Sequence, residues 1–212
     1  MATPTRHAIC YIDGFHLYHA IADLHLPHLK WLNLSDLSQT LLKRHQNLVA
    51  TRYFSAYATW RDGPYRRHQA YTAALEAAGV DVVMAHFKER RAKCRSCDAT
   101  WVEHEEKETD VHLAVRLLAD AEDHAADDLV LITADSDLVP PIRLVKSRHP
   151  DKRIIVAAPP GRFGHGRSLR AEAHSYFEIT KGRLRRGLFD REVYSSDETL
   201  AATRPSDYAP PI

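Results

Sequence analysis

The fold is decided by the stretch Leu129-Val130-Leu131-Ile132-Thr133-Ala134-Asp135-Ser136-Asp137, in which a short apolar run leads into two acidic residues. Four consecutive apolar residues of this kind predict a buried strand of a parallel sheet. Open α/β folds gather their ligands at the carboxyl ends of such strands. Two carboxylates one residue apart at that edge therefore indicate a site for a divalent metal ion.

Two further acidic residues occupy similar settings. Asp13 follows the apolar run 8–12, and Asp110 opens a long helical pattern. Each acid alone is explained by a turn or a helix N-terminus, where carboxylates accept backbone hydrogen bonds. Capping needs only one acid per helix, however, and Asp135 beside Asp137 crowds like charges that repel without a cation or a proton. Three segments thus predict four carboxylates at one place, a set suited to Mg²⁺ or Mn²⁺.

The order of elements predicts the fold class. Strands that alternate with helices favour a three-layer α/β/α architecture, in which helices cover both faces of a mostly parallel sheet. The 212 residues suffice for one well-buried core, so we expect one domain. Apolar periodicity vanishes over residues 88–104, which predicts a small insertion, and a helix is expected to resume at Glu105. Residues 181–212 are basic, then polar and proline-bearing, which predicts a flexible C-terminal tail.

Composition limits the function classes. The chain has 29 basic and 28 acidic residues, so a nucleic-acid role has to rest on local clusters of charge. The three cysteines, the lack of a signal-peptide pattern and the lack of an apolar run of membrane-spanning length predict a reduced, cytoplasmic protein without a membrane partner.

Three segments together resemble the NYN domain family, a PIN-like group of bacterial proteins that is also called LabA-like. They are Tyr11-Ile12-Asp13-Gly14-Phe15, Glu105-Glu106-Lys107-Glu108-Thr109-Asp110-Val111 and Thr133-Ala134-Asp135-Ser136-Asp137-Leu138-Val139-Pro140. The resemblance covers residues 7–180 and implies a PIN-like, Rossmann-like fold with metal-dependent ribonuclease chemistry. It also implies the catalytic and metal-binding acids, Asp13, Asp110, Asp135 and Asp137. His16 stands where the family usually carries Asn, and a histidine there can still orient a water molecule or a phosphate.

Neighbouring polar residues are candidates to assist this chemistry. Metal ions held by such acids would polarise a phosphate and lower the pKa of water, so no covalent nucleophile is required. Thr133 and Ser136 can hydrogen-bond a carboxylate, a water molecule or a phosphate, although capping is an equally good role for hydroxyls in a turn. Lys107 either meets a phosphate or is a solvated lysine. A phosphatase with Asp13 as its nucleophile is disfavoured, because Phe15 stands where such chemistry wants a second acid.

A cysteine pair lies within the expected insertion. Cys94 and Cys97 form a CxxC motif in a segment without periodicity, a setting that suits a zinc knuckle better than a thioredoxin-like helix. A structural Zn²⁺ ion would need two more ligands, and His86 and His104 flank the motif. A loop without metal and a reversible disulfide are the alternatives.

Two basic segments are candidates to hold nucleic acid. The insertion carries a run of cations that includes Arg91, and Trp101 in the same segment can stack on a base. The glycine-rich loop 161–167 combines Arg162 and Arg167 with an aromatic residue, and it lacks the lysine and hydroxyl of a P-loop.

Two functions remain open from the sequence. The first is a divalent-metal-dependent endoribonuclease that acts on single-stranded RNA. The second is a non-catalytic RNA-binding or regulatory module on the same fold, which the histidine at position 16 and the nearly neutral net charge of +1 favour. A homodimer is left open as well.

Overall fold

A computed structural model describes residues 4–211, which form one central sheet, a small hairpin and their covering helices. The strands are β1 Arg6–Asp13, β2 Gln46–Ala56, β3 Asp81–Lys93, β4 Thr100–Lys107, β5 Asp128–Ile132, β6 Arg153–Ala158, β7 Ser175–Glu178, β8 Glu192–Tyr194 and β9 Leu200–Thr203. The helices are α1 Gly14–Ala22, α2 Leu34–Leu41, α3 Asp62–Ala77, α4 Thr109–Glu122, α5 Val139–Arg148, α6 Arg167–Glu172 and α7 Lys181–Arg186.

The central sheet has seven strands in the order β4-β3-β2-β1-β5-β6-β7. All neighbours run parallel except β3 and β4, which are antiparallel. The chain builds the sheet outward from β1 to β4 and then returns through α4 to place β5 on the other side of β1. Since the strand order reverses between β1 and β5, the crevice at their carboxyl ends is the topological switch point of the sheet.

Alternate residues of β1 face opposite sides of the sheet, as the two-residue period of a strand requires. Ala8, Cys10 and Ile12 belong to one buried cluster, and Ile9 and Tyr11 belong to the other. Helices α1, α2, α3 and α7 contribute buried residues to the first cluster, whereas α4, α5 and α6 contribute to the second. The predicted three-layer α/β fold with a mostly parallel sheet is therefore confirmed.

Residues 88–104, where the sequence predicts a small insertion, lie in a β-hairpin that the sequence did not predict. Strand β3 pairs with β4 from His86 opposite Lys107 to Lys93 opposite Thr100. Apolar rhythm is weak in the sequence because most side chains of this hairpin are exposed, and the cross-strand backbone hydrogen bonds need no apolar residues. For the same reason the helix does not resume at Glu105: that residue lies in β4, and α4 begins at Thr109.

Residues 181–211 are also ordered, so the expected flexible tail is corrected. Helix α7 and the hairpin of β8 and β9 pack on the first core through buried side chains of Leu184, Val193, Ala202 and Tyr208. The indole Nε1 of Trp31 donates a hydrogen bond to the carbonyl oxygen of Asp190 over 2.7 Å. A few apolar residues are sufficient to hold the β8–β9 hairpin in place because the hairpin packs against α3.

Within residues 4–211, no helix combines the length and the apolar character that crossing a bilayer requires.

Candidate active site

Two of the expected acids lie at the switch point of the sheet. Asp13 is the last residue of β1, and Asp135 follows β5 by three residues. Since β1 and β5 are hydrogen-bonded neighbours that run parallel, their carboxyl ends bring the two acids to the same edge. The topology therefore supplies the convergence that the sequence predicted for these two segments.

Asp13 is buried, and both of its carboxylate oxygens accept hydrogen bonds. Its Oδ1 accepts from the backbone N–H of His16 over 3.0 Å, which caps α1. Its Oδ2 accepts from Thr133 Oγ1 over 2.9 Å and lies 2.5 Å from Nδ1 of His16. The side chain of Asp13 thus caps α1 and also contacts the other residues of the site, and α1 and the turn after β5 hold it in place.

Thr133 connects the two acids. Its buried hydroxyl donates to Asp13 and accepts from the backbone N–H of Asp135 over 3.0 Å. Asp135 in turn caps a short 3-10 turn by accepting at Oδ1 from the N–H of Asp137 over 2.9 Å. Of the two hydroxyls singled out in the sequence, Thr133 therefore positions the carboxylates, while the exposed Ser136 only begins the turn.

A pocket of about 320 Å³ collects acids from three segments. Its lining includes the carboxylates of Asp13, Glu106, Asp110 and Asp135, together with His16 and Lys107. Glu108 joins β4 to α4 in the left-handed backbone conformation, with φ of +74°, an uncommon state for a residue with a side chain. This sharp connection lets Glu106 on the strand and Asp110 on the helix line the same pocket.

The ionisable groups of the pocket shift one another's pKa values. Burial, followed by the charges of Asp13 and Asp135, raises the pKa of Asp110 to about 6. Burial and the charge of Asp13 also raise the pKa of Glu106. The hydrogen bond to Asp13 raises the pKa of His16, which favours the imidazolium form. Mutual repulsion among the acids makes this pocket a place that favours a cation.

We expect Asp110→Asn to stabilise the metal-free protein. The pKa of Asp110 in the folded state lies above the unfolded value of 3.8, so its ionisation opposes folding increasingly between pH 4 and 6 and fully above that. The side chain is half-exposed and screened by water, so we expect a gain of about 1 kcal/mol at pH 7.5 and less at pH 5.

Urea unfolding in EDTA at the two pH values measures the effect of Asp110→Asn. Asp123→Asn, at the exposed end of α4, is the matched control and should change little. A loss of stability in Asp110→Asn at both pH values would show that its charge does not strain the pocket.

Two acids that the sequence did not single out, Glu106 and Glu108, also line the pocket. The segment around Glu106 is rich in helix-forming residues, and the sequence predicted a helix from residue 105. The structure instead places Glu106 in strand β4. The cross-strand pairing of Glu106 with Phe87 could have been found only from the hairpin register.

Asp137 does not join the pocket, although the sequence placed it there. It is exposed, because the 3-10 turn that Asp135 caps directs it away from the other acids.

The four expected zinc ligands do not come together. Cys94 follows the last residue pair of the hairpin, whereas His86 lies eight residues earlier on β3, roughly 25 Å away along an extended strand. His104 stacks on Trp60 with ring centroids 3.6 Å apart. The two-cysteine, two-histidine zinc knuckle is thus corrected: the hairpin register separates the histidines from the cysteines. The cysteines are free, and hydrogen bonding from Ser96 lowers the pKa of Cys94 to about 6.

The expected phosphate contacts fall in three places. Lys107 lines the acid pocket, where its Nζ lies 2.5 Å from Oε1 of Glu105. Arg91 is exposed on β3, far along the hairpin. Arg162 forms an ion pair with Asp23, and Arg167 begins α6 at the surface. Only Lys107 is therefore adjacent to the acids.

Gly14 allows the close approach that places Asp13. A Cβ atom at this position would lie 2.5 Å from Cε2 of Tyr53 and 2.8 Å from the carbonyl oxygen of Phe54. We expect Gly14→Ala to lower the free energy of unfolding by about 1 to 3 kcal/mol, because backbone and ring cannot both move aside. Chemical denaturation measures the loss. Gly164→Ala has open space around its Cβ and should be neutral, so equal stability of both variants would contradict the steric argument.

Comparison with known proteins adds a family and a fold. The NYN domain family matches residues 8–180. Over 136 residues the chain is 29% identical to 6-hydroxy-3-succinoylpyridine 3-monooxygenase HspA from Pseudomonas putida (strain DSM 28022 / S16), a match that covers 64% of this chain and 43% of that protein. The chain thus spans less than half the length of this relative.

One solved structure agrees with the layered α/β fold. The crystal structure of VPA0982, a protein of unknown function from Vibrio parahaemolyticus RIMD 2210633, superposes with a TM-score of 0.59 at 16% identity. This match covers 85% of the present chain and 97% of that one. MurG of Acinetobacter baumannii aligns with a TM-score of only 0.40, at 9% identity over 94% of this chain and 46% of that one, a likeness too weak to bear on the fold.

Proposed function

Because this chain belongs to the NYN domain family, a PIN-like nuclease family, we propose that it is a divalent-metal-dependent endoribonuclease. The observation that carries the proposal is the convergence of Asp13, Glu106, Asp110 and Asp135 on one pocket at the switch point of the sheet. Carboxylates in such a crevice suit hydrolysis of a phosphodiester by way of a metal ion. The carboxylates and the phosphodiester are both negatively charged, so a cation has to lie between them.

The donor set of the pocket fits Mg²⁺ or Mn²⁺. All four acids offer hard oxygen ligands, and Oε1 of Glu106 is buried without a hydrogen-bond partner in residues 4–211. No three acidic, histidine or cysteine side chains in this range stand at chelating distance as they are. Binding therefore requires rotation of the half-exposed carboxylates, with Asp13 held as the fixed member.

In the proposed mechanism a bound divalent ion supplies a Lewis acid that polarises the phosphoryl group and lowers the pKa of attacking water. The chain contributes the geometry. Asp13, fixed by Thr133 and His16, anchors the site, while Asp110 and Asp135 complete it from α4 and the β5 turn. Lys107 lines the same pocket and is placed to attract a phosphate. His16, on the pocket wall, is positioned to donate a proton to a phosphate oxygen.

A second candidate is a non-catalytic RNA-binding module. One observation favours it: Nδ1 of His16 already engages Oδ2 of Asp13, so an imidazolium neutralises part of the charge that a metal ion would use. This candidate predicts RNA binding that is as tight in EDTA as in Mg²⁺ or Mn²⁺, with no turnover in either metal.

RNA is the proposed partner, and the exposed cations of the β3–β4 hairpin are the proposed contacts with a single strand. The three free cysteines support a reduced, cytoplasmic setting. A homodimer stays a prediction, as does use of the half-buried Cys94 and the exposed Cys97 as two ligands of a Zn²⁺ ion.

Cleavage of single-stranded RNA by the purified protein in Mn²⁺ tests the proposal. The informative pair is Asp135→Asn and Asp137→Asn, because both remove one charge from the same turn but only Asp135 lines the pocket. We expect Asp135→Asn to lose at least about tenfold in rate and Asp137→Asn to lose much less. Cleavage that is equal in wild type and Asp135→Asn, or absent from both in every metal, would overturn the nuclease assignment.

A further inference from the structure

A second cavity, also about 320 Å³, lies beside the acid pocket. The two share Phe15, and the first turn of α1 separates them: Asp13 and His16 face the acids, whereas Gly14 and Tyr18 face the second cavity. The remaining wall comes from β2, the loop after it, α3 and the β3–β4 hairpin, together with Lys30 and Tyr208. A ligand that reaches across Phe15 would therefore touch both sites.

Aromatic rings dominate the wall of this cavity. Phe15 and Tyr18 are each 42% exposed and Trp60 is 40% exposed, so three large rings present surface to solvent at one place. These rings are held by their neighbours. Phe15 packs edge-on against His19 with centroids 4.4 Å apart, and Trp60 stacks on His104 and meets Phe87 at 4.8 Å. Rings fixed in advance favour a flat ligand that can stack without further ordering.

The charges of the wall narrow the class of ligand. The lining contains Lys30 and Arg61, whereas Asp and Glu are not part of it. Nζ of Lys30 lies 4.2 Å from the ring centroid of Tyr18. Burial lowers the pKa of His68 to about 4, so this histidine is neutral at pH 7 and offers a hydrogen-bonding group without charge. The cavity thus suits a planar group that is neutral, rich in hydrogen-bonding edges and attached to an anion.

We propose that this aromatic cavity binds a nucleobase of single-stranded RNA, the one attached next to the phosphate that enters the acid pocket. The inference rests on the proposed function and deepens it, because it names the nucleobase as the part of the RNA that positions the strand for cleavage. Bases stack on aromatic side chains regardless of sequence, and the cations accompany the sugar-phosphate backbone. The shared Phe15 sets the spacing between the base and the phosphate.

Calorimetric titration with a ribonucleotide decamer in EDTA tests the inference without turnover. We expect Tyr18→Ala to weaken binding at least about tenfold, since loss of one stacking ring has effects of this size. Tyr194→Ala removes an exposed tyrosine of β8 that does not line the cavity, and this variant should bind as the wild type does. A decamer without bases should bind the wild type at least about tenfold more weakly than the normal decamer.

Two results would overturn the base-binding assignment: equal binding of the two decamers, or an unchanged affinity in Tyr18→Ala. These outcomes are separate from the fate of the nuclease. Base-dependent binding without cleavage in Mn²⁺ would retain the cavity and remove the catalytic function. If Tyr18→Ala cleaves RNA at the wild-type rate and binds it with the wild-type affinity, the catalytic function would be retained and the base-binding cavity removed.

Discussion

Asp13→Asn is expected to lower the Mn²⁺-dependent rate of RNA cleavage by at least about 100-fold while the fold is retained. Asp13 is the buried acid that α1 and Thr133 hold in place, and the other carboxylates approach it from separate segments. Losing its charge removes the fixed ligand of the site, which has a larger effect than losing a surrounding hydrogen bond. Asparagine keeps the shape and also caps helices well, so α1 should still begin at residue 14.

Rates at saturating Mn²⁺, together with circular dichroism, separate catalysis from folding in Asp13→Asn. Asp36→Asn provides the matched control, since Asp36 also lies at the start of a helix but is exposed on α2. It should cleave RNA as the wild type does. A folded Asp13→Asn protein with more than about a tenth of the normal rate would be incompatible with a metal site built around this residue.

The second large effect concerns stability. Asp120→Ala is expected to lower the free energy of unfolding by about 3 to 5 kcal/mol. Asp120 is buried on α4 and accepts from Arg52 Nε over 2.9 Å, from Arg52 Nη2 over 3.0 Å and from the hydroxyl of Tyr11 over 2.8 Å. Its removal leaves the guanidinium of Arg52 nearly buried, with the exposed Asp81 as its remaining carboxylate partner.

Urea denaturation measures this loss, and Glu122→Ala is the comparison. Glu122 lies on the same helix two residues further on, but its ion pairs with Arg148 and His149 are at the surface. Pairs of that kind contribute about 1 kcal/mol or less. Similar losses in the two variants would mean that the buried network does not tie α4 to β1 and β2.

The sheet and the positions of Asp13 and Asp135 were accessible from the sequence because local pattern and topology agree there, and Asp110, which the sequence also proposed, lines the same pocket from α4. The apolar runs before Asp13 and Asp135 are short, uninterrupted and followed by turns, which is the pattern of inner parallel strands. Neighbouring parallel strands then necessarily bring their carboxyl ends together. The pairing of β1 with β5 supplied the one distant contact that this part of the site needs.

The remaining parts of the site depend on pairings that local sequence does not reveal. Glu106 lines the pocket because β4 pairs with β3, although its own segment favours a helix by composition. The same register separates His86 and His104 from the cysteines. Residues 181–211 look disordered by composition, yet Tyr208 and its neighbours pack on α3 and on the turn near residue 28. In each case a tertiary contact overrides the local preference.

Binding of Mn²⁺, followed through the electron paramagnetic resonance signal of the free ion, tests the central claim most directly. The wild type should bind Mn²⁺ saturably, and Glu106→Gln should bind it at least about tenfold more weakly, because Glu106 contributes a buried oxygen without a hydrogen-bond partner within residues 4–211. Asp137→Asn should bind as the wild type does. A wild-type protein that leaves all Mn²⁺ free, or a loss of binding in Asp137→Asn but not in Glu106→Gln, would contradict a metal site in this pocket.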